Sequence, residues 1–470
     1  MEQKKTKIIC TISDMNCETE FISQLYQNGM NVARINSAHA TIEGAQKVVD
    51  NIRAVSDKIG ILIDTKGPEV RLTGMENSVG FLAKAGDRIM VCNGPRLSCN
   101  SKVLYTTCPT FVEDVPVGAR ILIDDGSVEL LVTDKSENAL LCNVQNDGVI
   151  KGKKSVNVPN VHISLPALTD KDKIFVNWAI EANIDFIAHS FVRNKEDLME
   201  LQSILDEKKS HLKIISKIEN SQGVENIDDI LTHCYGVMIA RGDLGVEIAA
   251  EKIPLIQKKL IEKCRSRKKP VIVATQMLHS MIENPRPTRA EVSDVANAIL
   301  QSTDAIMLSG ETASGKYPVE AVKTMSKIAE RAEKDINYNK LLRKIHEDGK
   351  EDITGAISHA TCTIASDLNA SAIITVTISG FTAEKVSRFK PSCPIICCSV
   401  NPRVCRQAAL LWGVTPLLIE KKNTTEDLFK EALWAAEKVG MIKKGERVVV
   451  TAGVPLGVSG NTNMIRVVEV

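Results

Sequence analysis

Lys213-Ile214-Ile215-Ser216-Lys217-Ile218-Glu219 is an apolar run that closes on opposite charges two residues apart, and Gly236 to Asp243 repeats the form one helical interval later. A strand that is apolar on both faces is buried on both, the habit of parallel sheets covered by helices. Working outward, the same text recurs at Lys7 to Ile12, Asn31 to Asn36, Ile61 to Lys66, Asp185 to Phe191, Val271 to Gln276 and Ala305 to Glu311. Eight such runs, each handing over to a helical pattern, predict a (β/α)8 barrel. Active sites in that architecture sit where the strands end, and these ends carry charge and hydroxyl groups.

The rhythm breaks after Lys66-Gly67-Pro68, where roughly 100 residues precede the fourth strand run, far more than a βα loop needs. Short β runs at Asp87 to Val91, Ile121 to Ile123 and Leu140 to Val144, with turn signals at Asp124-Asp125-Gly126 and Asn146-Asp147-Gly148, predict an inserted small β-barrel domain. Rooted at the rim, it is placed to act as a lid. Helical pattern returns at Thr169 to Ala182. A polar stretch from His346 to Asp352 reads as a linker into an open α/β unit. That unit has helices at 353–368, 383–389, 404–412 and 425–439, and strands at 372–377, 394–400, 448–451 and 465–470. The expected division is a catalytic barrel at 1–67 and 165–345, a lid at 68–164 and a C-terminal domain at 350–470.

Composition excludes several functions. Hydrophobic residues at 44%, charged residues at 25% and a net charge of +1, without a dense Lys/Arg block, disfavour nucleic acid. No run is long enough for a membrane span, and the start leads straight into a strand pattern, so a cytoplasmic location is expected. The thirteen cysteines are odd in number and scattered without a Cys-x-x-Cys pair, as reduced thiols are. No zinc spacing occurs among the histidines, and no Gly-x-Gly-x-x-Gly fingerprint marks a dinucleotide site.

Residues two apart on a strand share a face. Lys217 with Glu219, Arg34 with Asn36, Asp64 with Lys66, Arg241 with Asp243 and Ser309 with Glu311 therefore gather cations and oxygen ligands on one rim. Glu219 and Asp243, from adjacent strands, suit a hard divalent ion such as Mg2+ (or Mn2+), which takes one or two carboxylates and keeps other positions for substrate oxygens. The alternative is a pair salt-bridged to Lys217 and Arg241. Arg34 and Lys217 can neutralise a transferring phosphoryl group and a developing enolate, unless Arg34 serves as a structural partner of Asp64. Gly242 and Asp243 offer backbone N–H groups to a carboxylate. Thr275, Ser309 and Glu311 are suited to proton delivery, or to capping helices.

Long stretches then match one family. The chain resembles pyruvate kinases at Asn31-Val-Ala-Arg-Ile-Asn36, Asp64-Thr-Lys-Gly-Pro-Glu69, Ile215 to Asn220, Ala240-Arg-Gly-Asp-Leu-Gly245, Ala274-Thr-Gln-Met277, Leu308-Ser-Gly-Glu-Thr-Ala313 and Asn284 to Val295. The resemblance implies phosphoryl transfer from phosphoenolpyruvate to ADP, giving pyruvate and ATP, with Mg2+ and K+. It implies that Glu219 and Asp243 hold the metal, that Lys217 and Arg34 stabilise the reacting charge, and that Thr275 with Gly242 and Asp243 binds the carboxylate. Ser309 and Glu311 would lie on the proton path. His39, Arg71 and Lys154 would meet nucleotide phosphates, and Asn36, Asp64 and Thr65 would meet K+.

Two departures from the family pattern stand out. Asn36-Ser37-Ala38-His39-Ala40 replaces the usual Asn-Phe-Ser-His-Gly, so Ala38 removes a hydroxyl from the K+ set, and a retained but weakened site is expected. The loop Thr377-Ile378-Ser379-Gly380-Phe381-Thr382 can cradle a phosphate, yet it and Gly453 to Gly457 lack the basic residues of bisphosphate-regulated relatives. A monophosphate effector, or none, is the expectation. An allosteric homotetramer is implied by resemblance. Two other classes compete: a metal-dependent lyase or aldolase on a similar barrel, which would need no lid, and a silent effector-binding member, which the intact rim argues against.

Overall fold

The computed structural model describes residues 4–95, 97–347, 352–455 and 460–470. Eight parallel strands close a cylinder: Lys7–Thr11, Val32–Asn36, Gly60–Asp64, Phe186–His189, Lys213–Ile218, Gly236–Ala240, Val271–Ala274 and Ala305–Leu308. Each bonds to the next in chain order, and the eighth bonds to the first. Strand alternation sorts their side chains into two cores. Ile9, Val32, Leu62, Phe186, Ile215, Met238, Ile272 and Met307 fill the cylinder. Ile8, Ala33, Ile63, Ile187, Val237 and Val273 face the surrounding helices. Arg34, Asp64 and Lys217 fall on the inward parity, one or two steps above this filling, so the same alternation that packs the core delivers them to the mouth.

The sequence pattern overran the strand ends at two places that matter. The sixth strand stops at Ala240, and Arg241–Glu247 is a helix. Arg241 and Asp243 therefore do not share a strand face; two residues along a helix turn side chains roughly 200° apart. Ser309 and Glu311 are corrected likewise, since the eighth strand ends at Leu308 and Gly310–Ala313 is a helical turn.

Between the third and fourth strands, a six-stranded sheet runs in the order Val156–Asn157, Arg120–Ile123, Val128–Lys135, Ala139–Val144, Arg88–Asn93 and Val103–Thr106. A ribbon of Phe81–Ala83 and Gly148–Ile150 stands beside it. Its own core includes Phe111, Ile121, Leu130 and Val144. Asp124 and Asp125 both have left-handed φ, 53° and 54°, followed by Gly126, the conformation a tight hairpin turn demands.

The C-terminal sheet orders Val414–Leu418, Ile395–Ser399, Ala372–Val376, Arg447–Ala452 and Met464–Glu469, the last antiparallel. Val414–Leu418 escaped the sequence reading because Pro416 interrupts it. As an edge strand it tolerates the missing N–H. The helix Tyr338–Glu347 takes in His346, where a linker was expected, and 348–351 lie outside the described residues. This unit docks on the barrel floor. Leu410 joins the cluster inside the cylinder, Arg406 Nε donates to Asp185 Oδ1 at 2.8 Å, and Lys7 Nζ donates to the Val414 carbonyl at 2.6 Å. Among the described residues no helix is long and apolar enough to cross a membrane. The thirteen cysteines are free thiols, all but Cys92 buried.

Candidate active site

Asp64 lies 1% exposed at the end of the third strand and is the hub of the rim. Its Oδ1 and Oδ2 accept from Arg34 Nε at 2.9 Å and Nη2 at 2.8 Å, a two-pronged contact, and Lys217 Nζ stands 3.0 Å from Oδ2. Lys217 also meets Glu219 Oε1 at 2.8 Å and donates to Ser190 Oγ at 2.9 Å. Burial alone would push the Lys217 ammonium toward neutrality, but Asp64 and Glu219 outweigh it and hold the group charged. Likewise burial would raise the Asp64 carboxyl, yet Arg34 and Lys217 bring it below its ordinary range.

Glu219 Oε2 accepts the Phe191 amide at 2.7 Å. Phe191 has φ 56° and Thr275 φ 69°, left-handed backbone that costs a side-chain-bearing residue about 1–3 kcal/mol and concentrates at functional sites. Asp243, on the first turn of the helix after the sixth strand, sits within hydrogen-bonding reach of Glu219. Burial, followed by the Glu219 charge, pushes it up to about 7. Two carboxyl groups driven together, with Lys217 already shared with Asp64, fit a divalent cation that completes its shell with water and substrate oxygens. Among the described residues no group of three or more His, Cys, Asp or Glu stands together as a metal cage.

Beside the pair, the Gly242 amide donates to Thr275 Oγ1 at 2.7 Å, bringing together the two groups assigned to a carboxylate. Asn36 and Asp64 are register partners on the second and third strands, and Asn36 Oδ1 accepts the Ala38 amide at 3.1 Å. Thr65 Oγ1 accepts the Ser190 amide, and its carbonyl accepts Ser190 Oγ at 2.7 Å. Ser37 is buried with its hydroxyl unpaired, and nothing in the structure explains it. A cleft runs from Glu219 and Asp243 to the turn of the inserted sheet at Asp125, lined by Ser155, Val158 and Phe191.

Other expected residues stand apart. Arg241 turns away to Asp294, with Nη1–Oδ2 2.6 Å, and to the Thr275 carbonyl, so it does not compensate the carboxylate pair. Glu311 is 1% exposed and spends its oxygens on the Leu278 and Ser309 amides; it fixes Ser309 from behind. Arg71 bonds Glu69 and the Lys153 carbonyl at the root of the inserted β unit, Lys154 pairs with Asp124 at 3.0 Å on that unit, and His39 is exposed on the loop after the second strand. In the C-terminal unit Thr377, Ser379 and Thr382 line a cavity of about 410 Å³, and Gly380 donates its amide to Thr377 Oγ1. Leu456 and Gly457 lie outside the described residues.

Sequence reasoning missed Ser190, Phe191, Lys421 and Lys422. The first two follow the fourth strand, where a hydroxyl after His189 was the available signal. The lysines enter the 410 Å³ cavity from a loop distant in sequence.

Residues 3–322 match the family model "Pyruvate kinase, barrel domain", and residues 355–468 match "Pyruvate kinase, alpha/beta domain". A pyruvate kinase of Geobacillus stearothermophilus is 46% identical over 472 residues, spanning 99% of this chain and 80% of its own length. One from Clostridium acetobutylicum is 44% identical and spanned to 99% on both sides. The crystal structure of a pyruvate kinase from Cryptosporidium parvum superposes with a TM-score of 0.95 at 38% identity, covering 99% of this chain and 96% of that one.

Proposed function

The chain belongs to the pyruvate kinase family, and from that membership we infer how its residues share the phosphoryl transfer. The reaction is that of the family: phosphoenolpyruvate and ADP give pyruvate and ATP, the closing step of glycolysis, with a general dependence on a divalent ion and potassium. The single observation that carries the assignment of roles is the convergence of Lys217, Asp64, Glu219 and Asp243 at the mouth of the barrel.

In this reading Glu219 and Asp243 hold Mg2+, or Mn2+. A divalent ion held there supplies positive charge to substrate oxygens. Lys217 and Arg34, fixed in place by Asp64, neutralise the phosphoryl group as it leaves the enolate oxygen, so most of the catalysis is electrostatic. Thr275 and the amides of Gly242 and Asp243 orient the carboxylate. Ser309 stands on the proton path to the enolate carbon, with Glu311 as the group that positions it. His39, Arg71 and Lys154 receive the nucleotide phosphates from the lid side, and closure of residues 68–164 over the 1–67 and 165–345 barrel excludes water.

Asn36, Asp64 and Thr65 hold K+ with one hydroxyl fewer than usual at Ala38. Exchange of K+ for a large organic cation at constant ionic strength should lower activity, and Ala38→Ser should reduce the K+ concentration giving half activation. Unchanged activity without K+ defeats this part. The 350–470 unit is assigned oligomerisation as a homotetramer and regulation through Thr377, Ser379, Gly380 and Thr382, with a monophosphate as ligand and the cytoplasm as location.

The test of the chemistry is a coupled assay of pyruvate formation with and without ADP. Lys217→Met should cut turnover by at least about 10²–10³-fold, the loss of one preorganised charge, in a protein that still folds. A near-normal rate removes Lys217 from its role. Pyruvate formation that ignores ADP would favour a lyase.

A further inference from the structure

His189 closes the fourth strand and is fully buried. Strand alternation puts Ala188 inside the cylinder and Ile187 among the helices, so His189 falls on the helix-facing parity. Its neighbours at that level are polar as well. The Thr65 amide continues the ladder to the Ala188 carbonyl at 2.9 Å, and Ser216 is the register partner of His189 on the fifth strand. Each of the three adjoins a rim residue in the chain: Thr65 follows Asp64, His189 precedes Ser190 and Ser216 precedes Lys217. All are at most 3% exposed, in a layer otherwise filled by residues such as Ile63, Ile187 and Ile218. A buried polar atom without a partner costs stability that an aliphatic side chain would not. Among the described residues His189 Nε2 and Ser216 Oγ have no hydrogen-bond partner, so packing alone does not account for an imidazole here.

The other ring nitrogen has work to do. Nδ1 stands 3.4 Å from Thr65 Oγ1. That oxygen already accepts the Ser190 amide at 2.9 Å, which leaves the hydroxyl's own proton for Nδ1. The ring is neutral. Of the acids on the helices packed against it, Asp172 is spent on Thr169 and the Lys66 amide and Asp197 on Arg193, and burial pushes His189 down to about 4 against their longer-range pull. From Thr65 the bonds run on without a gap: its carbonyl accepts Ser190 Oγ at 2.7 Å, and Ser190 Oγ accepts Lys217 Nζ at 2.9 Å.

We propose that His189 is a positioning residue for the phosphoryl transfer: protonated on Nε2, it accepts the Thr65 hydroxyl at Nδ1, fixes the double bracket between Thr65 and Ser190, and so sets where the Lys217 ammonium stands. It touches no substrate. The inference rests on the reading of Lys217 as the cation that meets the phosphoryl group. A displaced ammonium costs rate even when the displacement begins behind the site, because transfer depends on held geometry.

Steady-state kinetics of the full chain at saturating Mg2+ and K+ test this. His189→Leu keeps much of the bulk and removes the acceptor, so turnover should fall about fivefold or more, with the Michaelis constant for ADP nearly unchanged. His189→Asn, whose Oδ1 can stand where Nδ1 does, should recover most of that loss. His189→Gln, whose amide reaches the Nε2 position instead, should not. Because His189 acts through Thr65, the double variant Thr65→Val with His189→Leu should be no slower than Thr65→Val alone. Should His189→Leu fail to fold, the contrast between the Asn and Gln variants decides, since both keep a polar side chain. Normal turnover in folded His189→Leu, equal rates for the Asn and Gln variants, or losses that add in the double variant each overturn the proposal. Lys217→Met, assayed in parallel, separates the two readings: a near-normal rate there defeats the role of Lys217, whereas a slow Lys217→Met beside a normal His189→Leu defeats only the positioning role.

Discussion

Ser190 touches Lys217 Nζ, the Thr65 carbonyl and, through its amide, Thr65 Oγ1, so one small side chain ties the Lys217 ammonium to the loop after the third strand. Ser190→Ala removes a hydrogen bond to a charged group, about 1.5–3 kcal/mol. Turnover should fall by about tenfold or more, with the Michaelis constant for ADP nearly unchanged. Asp243 makes the second prediction. Its carboxyl, pushed up to about 7, binds a proton more tightly in the folded than in the unfolded chain. The cation-free protein therefore loses stability as pH rises from about 4 through about 7, where the unfolded chain has already released that proton. A divalent ion needs the deprotonated pair, so the rise in melting temperature on adding Mg2+ should be small at about pH 5 and grow to a plateau above about pH 8. A shift independent of pH would disconnect Asp243 from the ion.

At the scale of the element, the helix Asp170–Glu181 begins with a capping box in which Thr169 and Asp172 bond reciprocally. Asp172 does more than cap. Its Oδ1 accepts the Lys66 amide at 2.6 Å, while Oδ2 accepts from Thr169. The first turn of a helix thus holds the segment that leaves the third strand for the inserted β unit. Thr169→Ala should cost about 1 kcal/mol in chemical denaturation, the usual value of a lost cap, and leave turnover near normal. Asp172→Ala should cost more and also lower turnover, because the Lys66 segment loses its anchor. Equal effects of the two changes would show that Asp172 is only a cap. Gly67, at φ 72°, stands where a side chain would strike Ser190 and Phe191, so that chain exit leaves no room for a bulkier residue.

Across the whole molecule, barrel and C-terminal unit are joined by buried polar contacts as well as by apolar packing. Asp185, fully buried at the start of the fourth strand, pairs with Arg406 of the C-terminal unit and with Arg53 of the barrel. Arg406→Ala leaves that carboxylate short of a partner and should destabilise the protein by about 3–5 kcal/mol, with denaturation resolving into two transitions. A single unshifted transition would show that Leu410 and its apolar surroundings suffice. The strand runs, their inward parity and the insertion after Lys66 are local or periodic properties, so the chain itself spelled out the barrel, the interrupting β unit and the identity of Arg34, Asp64, Lys217 and Glu219. What it withheld depends on contacts between distant segments. Arg241 and Asp243 are two residues apart in either geometry, and only the helical turn after Ala240 sends one to Asp294 and the other to Glu219. Glu311 looks like a rim acid until packing places the Leu278 and Ser309 amides against it. Lys7 opens the first strand run and looks like any charged strand end. Its ammonium meets the Val414 carbonyl of a domain roughly 400 residues further on, and that contact is invisible in the sequence because desolvation is a property of the assembled fold and not of the sequence neighbourhood.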